Sequence, residues 1–257
     1  MRGQKGFTLV EMVTVIVLLG ILSVGLTGFI RLVSQVYADT TENEALLANA
    51  RFAVERLNRE LRNAVPNSFV VSNISGSNCL SYTPIITSAI YRDIPVGTDT
   101  PVSSIELVAF SDFISQGVNG QRAVVYPINS GDSLPSSAKS VLLAANNAIT
   151  AVSGQTNRFN LNFATTSRFV EESPTQRIFI TSAQRQICLV GSQLTLDGVT
   201  LAEQVNRASS SFSVNASNLT RNATVQMRLV FNTDIVRNTA AGTDIEFYHE
   251  VHTPNVP

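Results

Sequence analysis

The chain has 257 residues, which is enough to bury the core of one large domain or of two small ones. Its formal net charge is only −1. That balance suggests neither the strongly basic surface typical of nucleic-acid-binding proteins nor a charged trap for acidic substrates.

The first predicted element is an apolar segment of membrane length behind a short basic leader. Arg2 and Lys5 precede it without an acidic neighbour, and residues 12–30 carry no charge over 19 positions. As a helix, such a run spans about 28 Å, close to the thickness of a bilayer core. Basic residues before the run predict that the N-terminus stays in the cytoplasm. Residues 23–25 could form a signal-peptidase site, but the apolar run continues to residue 30, which favours an anchor that is not cleaved there.

Residues 31–65 predict a second, amphipathic half of the same helix. Charged residues at i,i+4 spacing, among them Arg56 and Glu60, occupy the side opposite the apolar stripe. Residues 41–44 match a capping box that could interrupt the helix, although an uninterrupted helix is favoured. Pro66 is expected to end it. The apolar stripe consists of Leu46, Ala50, Ala53, Val54, Leu57, Leu61 and Ala64.

Residues 66–257 predict a β-rich head, because short β-branched or alternating runs replace the helical pattern. The pair of runs around Gly191-Ser192 predicts a two-residue hairpin, and Asp197-Gly198 is a second turn signal. The fold class is therefore α+β, with a long N-terminal transmembrane and amphipathic helix packed on a β-rich globular head. The predicted strands are 69–74, 79–83, 105–110, 123–128, 159–163, 177–181, 186–190, 193–196, 212–215, 224–231 and 245–251.

The two cysteines, Cys79 and Cys188, lie 109 positions apart and both fall in predicted strands. An even pair in an exported domain tends to oxidise. We therefore expect a disulfide, with two buried thiols as the alternative.

The head offers no pattern of residues typical of an enzyme. A Gly-rich phosphate loop, a Cys-x-x-Cys zinc pattern and a G-x-S-x-G nucleophile motif are all missing from the sequence. His249 and His252 are three positions apart, so on a strand they face opposite sides and are poor metal ligands. Asp197 and Asp244 are near turns and could bind calcium, but ordinary turn chemistry is favoured. We therefore expect no catalytic residues, no metal and no cofactor.

The residues around the start of the apolar run resemble a known family. The stretch Gly6-Phe7-Thr8-Leu9-Val10-Glu11, with a basic leader before it and a charge-free run after it, resembles the type III signal of type IV pilins and pseudopilins. The resemblance implies that residues 1–6 are a leader, which prepilin peptidase removes between Gly6 and Phe7 before the new Phe7 amine is methylated. Residues 7–30 would then be the transmembrane half of the helix.

Glu11 is the one carboxylate inside this run. Inserting an ionised Glu into hydrocarbon costs about 2.5–3.5 kcal/mol on insertion scales, so a compensating cation is expected. The resemblance implies that the cation is the N-terminal amine of a neighbouring subunit. The alternative is that the Glu11 side chain reaches the lipid headgroups.

The large head, together with residues 50–62 and 248–257, is most similar to the large minor pilins, in particular those of the mannose-sensitive haemagglutinin (MSHA) pilus. J-type pseudopilins of type II secretion and an adhesin or DNA-uptake subunit at a pilus tip are alternatives. The resemblance implies an assembly role with three partners: other pilins through the N-terminal helix, prepilin peptidase, and the inner-membrane assembly platform. It also implies a single-pass inner-membrane protein with a cytoplasmic N-terminus and a periplasmic head, which then enters a pilus or pseudopilus. Scattered arginines among acidic residues disfavour a nucleic-acid partner.

Overall fold

A computed structural model describes residues 6, 8–74, 76–110, 113, 117–215, 223–232 and 244–253 of the protein. Within these residues the chain forms one long helix followed by strands, which confirms the expected α+β class. The elements are α1 (Leu9–Arg62), β1 (Val70–Ile74), β2 (Ser77–Tyr82), β3 (Ile85–Tyr91), β4 (Val102–Val108), β5 (Arg122–Val125), β6 (Ser140–Leu142), β7 (Ile149–Ala151), β8 (Arg158–Ser167), β9 (Arg177–Thr181), β10 (Arg185–Val190), β11 (Gln193–Leu196), β12 (Val199–Ala202), β13 (Ser211–Asn215), β14 (Ala223–Asn232) and β15 (Asp244–Thr253).

By its internal contacts the chain divides into two units, residues 1–48 and residues 49–257. In the first unit, α1 exposes a continuous series of large apolar side chains between Leu9 and Tyr37. Among the described residues, α1 is the one helix that is long and apolar enough to cross a membrane, judged by length and composition.

In the second unit, the amphipathic part of α1 buries its apolar stripe. Ala50, Ala53, Leu57 and Leu61 are completely buried, and Val54 is half-buried. The helix runs through residues 41–44 without a break, so the capping-box pattern there does not start a new helix.

Helix α1 ends at Arg62, three residues before the predicted end of the helix at residue 65. The Ile85 N–H donates to the Asn63 carbonyl at 2.9 Å, and the Val65 N–H donates to the Thr83 carbonyl at 2.8 Å. The backbone after Arg62 therefore pairs with the segment between β2 and β3 instead of continuing the helical hydrogen-bond pattern.

The strands of the head form three antiparallel sheets in the described part of the chain. Their orders are β1-β2-β10-β11-β12, β6-β5-β9-β3-β4-β8-β7 and β13-β14-β15. β2 and β10 are neighbours in the first sheet, with Tyr82 opposite Arg185. Every strand of the seven-stranded sheet lies between them in sequence. The seven-stranded sheet is therefore an insertion whose two ends leave from adjacent strands.

One face of the seven-stranded sheet carries an apolar core. Leu107, Leu161, Ile178 and Ile180, from the three strands β4, β8 and β9, are completely buried in it. The Phe113 and Phe159 rings lie 5.7 Å apart between centroids at this core. Alternation along each strand places these side chains on one face, as expected for a half-buried antiparallel sheet.

All eleven predicted strands are present, and both predicted turns are confirmed. β10 and β11 are joined by the Gly191-Ser192 turn, with Val190 opposite Gln193. Asp197 and Gly198 both adopt positive φ, as a type I′ turn requires. The unpredicted strands are β3, β6, β7 and β12. The last three have only three or four residues, too few to show a period of two, and Thr-Ser-Ala interrupts the apolar pattern of β3.

Candidate functional site: the N-terminal motif

The N-terminal motif lies at the first turn of α1, and Thr8 begins that turn. The Thr8 carbonyl accepts the N–H groups of Glu11 at 3.1 Å and Met12 at 3.3 Å. The Thr8 hydroxyl also accepts the Glu11 N–H, at 3.4 Å. Thr8 is thus the N-cap residue, which satisfies N–H groups that have no partner within the helix.

Glu11 is the third residue of α1 and completes the pattern Thr-x-x-Glu of a capping box. A carboxylate in the first turn interacts favourably with the positive end of the helix dipole. The side chain is exposed, and within the described residues it has no ion-pair partner. The structure therefore places Glu11 at the capping position of the first turn, with no cation paired to it among the described residues.

The capping role of Thr8 is a feature that our sequence reasoning missed. The capping-box spacing from Thr8 to Glu11 was the signal that could have revealed it. We applied that pattern to residues 41–44, where the helix is continuous, and not to residue 8.

Gly6 is exposed, and a Cβ atom added to it would meet nothing within 4 Å. Packing within the described chain therefore does not require glycine at this position. Phe7, the residue after the predicted cleavage site, lies outside the described residues.

Cys79 and Cys188 form a disulfide in the head. They are direct partners across β2 and β10, with their Cα atoms 4.1 Å apart. The bridge therefore joins the two strands between which the seven-stranded sheet is inserted.

The two histidines lie on the outer strand β15, and the structure does not bring them together. His249 is opposite Met227 and His252 is opposite Thr224. The His249 Nε2 atom is buried without a hydrogen-bond partner among the described residues, whereas His252 is exposed with its Nε2 atom 3.6 Å from Glu250.

The two turn aspartates bind neighbouring groups of the protein. Asp197 accepts hydrogen bonds from Arg185 Nε at 2.7 Å and from the Gln186 N–H at 2.8 Å. Asp244 accepts one from the side chain of Asn232. In the part of the chain that the structure describes, no group of three or more His, Cys, Asp or Glu residues is arranged to hold a metal ion.

Glu60 differs from its predicted position on the solvent side of the helix. It pairs with Arg56 at 2.7 Å as the i,i+4 spacing predicts, but it also contacts Arg185 at 3.0 Å and accepts the Tyr82 hydroxyl at 3.2 Å. Burial, and then the nearby Glu60 carboxylate, raise the pKa of Tyr82 above its usual range. This polar cluster joins the second half of α1 to β2 and β10, and no local sequence pattern predicts it.

Comparison with known proteins identifies the N-terminus. The family described as the prokaryotic N-terminal methylation motif matches residues 1–27. The N-terminus is a type IV pilin-like prepilin signal. No curated protein and no solved structure matches the chain significantly.

The match includes Gly6, Phe7, Thr8 and Glu11 together with most of the apolar run. Together with the apolar helix that follows, the prepilin signal fits a membrane-anchored subunit of the pilin or pseudopilin kind. The motif indicates a structural subunit rather than an enzyme.

Proposed function

We propose that the protein is a minor pilin that takes part in assembling a type IV pilus, similar to the minor pilin MshO of the MSHA system. The observation that carries the proposal is the methylation motif at residues 1–27 on a helix whose apolar side chains remain exposed. Prepilin peptidase would hydrolyse the Gly6–Phe7 bond, and the subunit would then enter or prime the filament from the inner membrane. The large β-rich head supports a low-copy subunit, because a bulky head fits a filament tip more easily than a packed shaft.

In this proposal Glu11 guides assembly through its charge. Cleavage creates a cationic amine at Phe7, and the Glu11 carboxylate of one subunit pairs with that amine on its neighbour. Opposite charges attract more strongly at low dielectric, and an unpaired carboxylate there is unfavourable. A subunit inserted out of register leaves Glu11 unpaired, so the pair favours one register.

A J-type pseudopilin of a type II secretion system is the second candidate. It is supported by the same motif and by the large size of the second unit, residues 49–257. Neighbouring genes for a secretion apparatus rather than for further pilus subunits would favour it.

Mass spectrometry of the protein co-expressed with prepilin peptidase tests the processing step. We expect loss of residues 1–6 and a mature chain that starts at methylated Phe7. Gly6→Leu should block cleavage without disturbing the fold, since Gly6 is exposed and a Cβ atom added to it meets no atom within 4 Å. Gly3→Leu is the matched leader variant and should be processed normally. An intact Met1 in membranes that contain active peptidase would contradict the proposal.

Incorporation into filaments in the native host tests the role of Glu11. Glu11→Gln keeps a residue suited to a capping box but removes the charge. We expect it to be processed and inserted normally and to be lost from filaments. Glu44→Val, which removes an exposed carboxylate of the same helix, should be incorporated normally. Normal incorporation of Glu11→Gln would show that Glu11 acts only within its own helix.

A further inference from the structure

The loop between β5 and β6 contains a buried lysine. Lys139 is the only lysine of the sequence after Lys5, although the head has many arginines. Only 8% of its surface is exposed. Its Nζ atom lies 4.9 Å from the centre of the Tyr126 ring and donates to the Tyr126 carbonyl at 3.0 Å. A buried ammonium group is unfavourable unless other groups compensate its charge.

Two carboxylates of the described residues face the amine of Lys139. Its Nζ atom is 2.7 Å from Glu171 Oε1 and 3.5 Å from Asp132 Oδ2. The Asp132 side chain exposes 14% of its surface, and the Glu171 side chain exposes 47%. The amine therefore contacts one carboxylate that is shielded from water and one that is open to it.

The shielded carboxylate is held by the backbone of its own loop. The N–H groups of Ile128 and Asn129 both donate to Asp132 Oδ2, each at 2.9 Å. When a nucleophile attacks the Cγ atom of a carboxyl group, negative charge develops on its oxygens, and N–H groups directed at one of them stabilise that charge. The backbone therefore favours attack at Asp132 over attack at the more exposed Glu171.

An ion pair by itself does not require lysine at this position. Arginine is better suited to two carboxylates, because its planar guanidinium donates several hydrogen bonds at once. Lysine differs in having a primary amine, which is a nucleophile once it has lost its proton. Glu171 is in direct contact with the Lys139 amine and can accept that proton.

We propose that Lys139 and Asp132 condense to an intramolecular amide bond, with Glu171 as the base. The Lys139 Nζ atom attacks Asp132 Cγ, and one C–O bond of that carboxylate breaks. The two protons that the ammonium group loses leave with the freed oxygen as water. Glu171 relays both protons and ends in its original state, so the step needs no further reactant.

The polar groups of the amide have partners where it forms. Its N–H lies beside the Tyr126 carbonyl, and its oxygen keeps the N–H groups of Ile128 and Asn129. Replacing a buried ion pair by uncharged groups is often stabilising. Well-oriented groups also have effective concentrations of about 10⁵–10⁸ M, which favours a condensation that dilute groups in water do not undergo. The bond does not depend on cleavage at Gly6–Phe7, so the two proposals can fail separately.

Peptide mass spectrometry of the full-length protein tests the proposal. The detergent-solubilised protein is kept folded for several days, then reduced, alkylated and digested with trypsin. We expect residues 123–158 as a single peptide, lighter than its sequence mass by one water molecule, because trypsin does not cleave after an acylated lysine. Complete cleavage after Lys139 would overturn the proposal. A branched product that joins residues 123–158 to residues 169–177 would also overturn it, since the amide would then be on Glu171.

Variants whose strands are checked by circular dichroism separate the reaction from the fold. Glu171→Gln keeps a hydrogen-bond acceptor but removes the base, and should lower the cross-linked fraction at least tenfold. Glu172→Gln changes the adjacent exposed carboxylate and should leave that fraction unchanged. Asp132→Asn should give a peptide of the same final mass as the wild type, because ammonia then leaves instead of water. Asp132→Ala should restore cleavage after Lys139; persistent cross-linking in this variant would overturn the proposal.

Discussion

Two leucines of helix α1 show how differently its halves are surrounded. Leu26, in the apolar run, exposes 59% of its surface, whereas Leu57, 31 positions later in the same helix, is completely buried. Both halves have the same backbone conformation. The difference lies in what covers their side chains. The head covers the second half, and the apolar first half requires a covering that its own unit does not supply, such as lipid or other subunits.

Two carboxylates of the same helix differ in the same way. Glu60 has Arg56, Arg185 and Tyr82 as partners in its own chain. Glu11 has no cationic partner among the described residues. The partners of the Glu60 carboxylate are therefore supplied by the fold of its own chain. Any cationic partner of Glu11 has to come from what surrounds the N-terminus after cleavage and assembly.

Of the predicted effects, removal of the disulfide should have the largest, and it concerns the stability of the head. We expect Cys79→Ser/Cys188→Ser to lower the free energy of unfolding of the head by about 2–5 kcal/mol, because the bridge constrains the unfolded chain. Chemical unfolding of detergent-solubilised protein, followed by circular dichroism of the strands, measures this. Reductant should reproduce the loss in the wild type and leave the double variant unchanged. Membrane insertion of the variant should remain normal. Impaired insertion would show that the apolar half of α1 and the head do not behave independently.

Matched leucine variants test the two halves of α1 directly. Leu57→Ala removes buried methyl groups and should destabilise the head by about 2–5 kcal/mol. Leu26→Ala should change its stability by less than about 0.5 kcal/mol. The same unfolding measurement compares them. Equal losses in the two variants would show that the apolar run also supports the fold of the head.

The pair between Arg228 and Glu246 should give the smallest effect and a defined pH dependence. A hydrogen bond from Arg228 holds the pKa of Glu246 below its usual range. Because the pKa is lower in the folded state, this pair stabilises the protein above the pKa of an unfolded Glu, about 4.3. That contribution disappears as the pH falls through the folded-state pKa.

The Tm difference between wild type and Glu246→Gln should therefore be present at pH 7 and absent in strong acid. It should also shrink in 1 M salt, since the pair is half-exposed. A difference that grew at low pH would contradict the assignment. In contrast to Glu11, Glu246 has its partner on the adjacent strand, so no assembly is needed to observe this effect.

Local patterns in the sequence predicted the elements well. The N-terminal motif was recognised from Gly6, Phe7 and Glu11, and the family comparison supports that interpretation. The helix and eleven strands were found from periodicity, because burial on one face repeats every 3.6 residues in a helix and every two in a strand. Strands as short as β6 and β7 carry too few residues for such a repeat.

The pairing of these elements was decided only by the tertiary structure. Cys79 lies opposite Cys188, and Glu60 contacts Arg185, across more than a hundred residues in each case. The same long-range pairing inserts the seven-stranded sheet between β2 and β10. The sequence by itself determined the signal, the long helix and most strands, because these depend on neighbours in the chain. Register and sheet order depend on which distant surfaces pack together, and no local pattern contains that information.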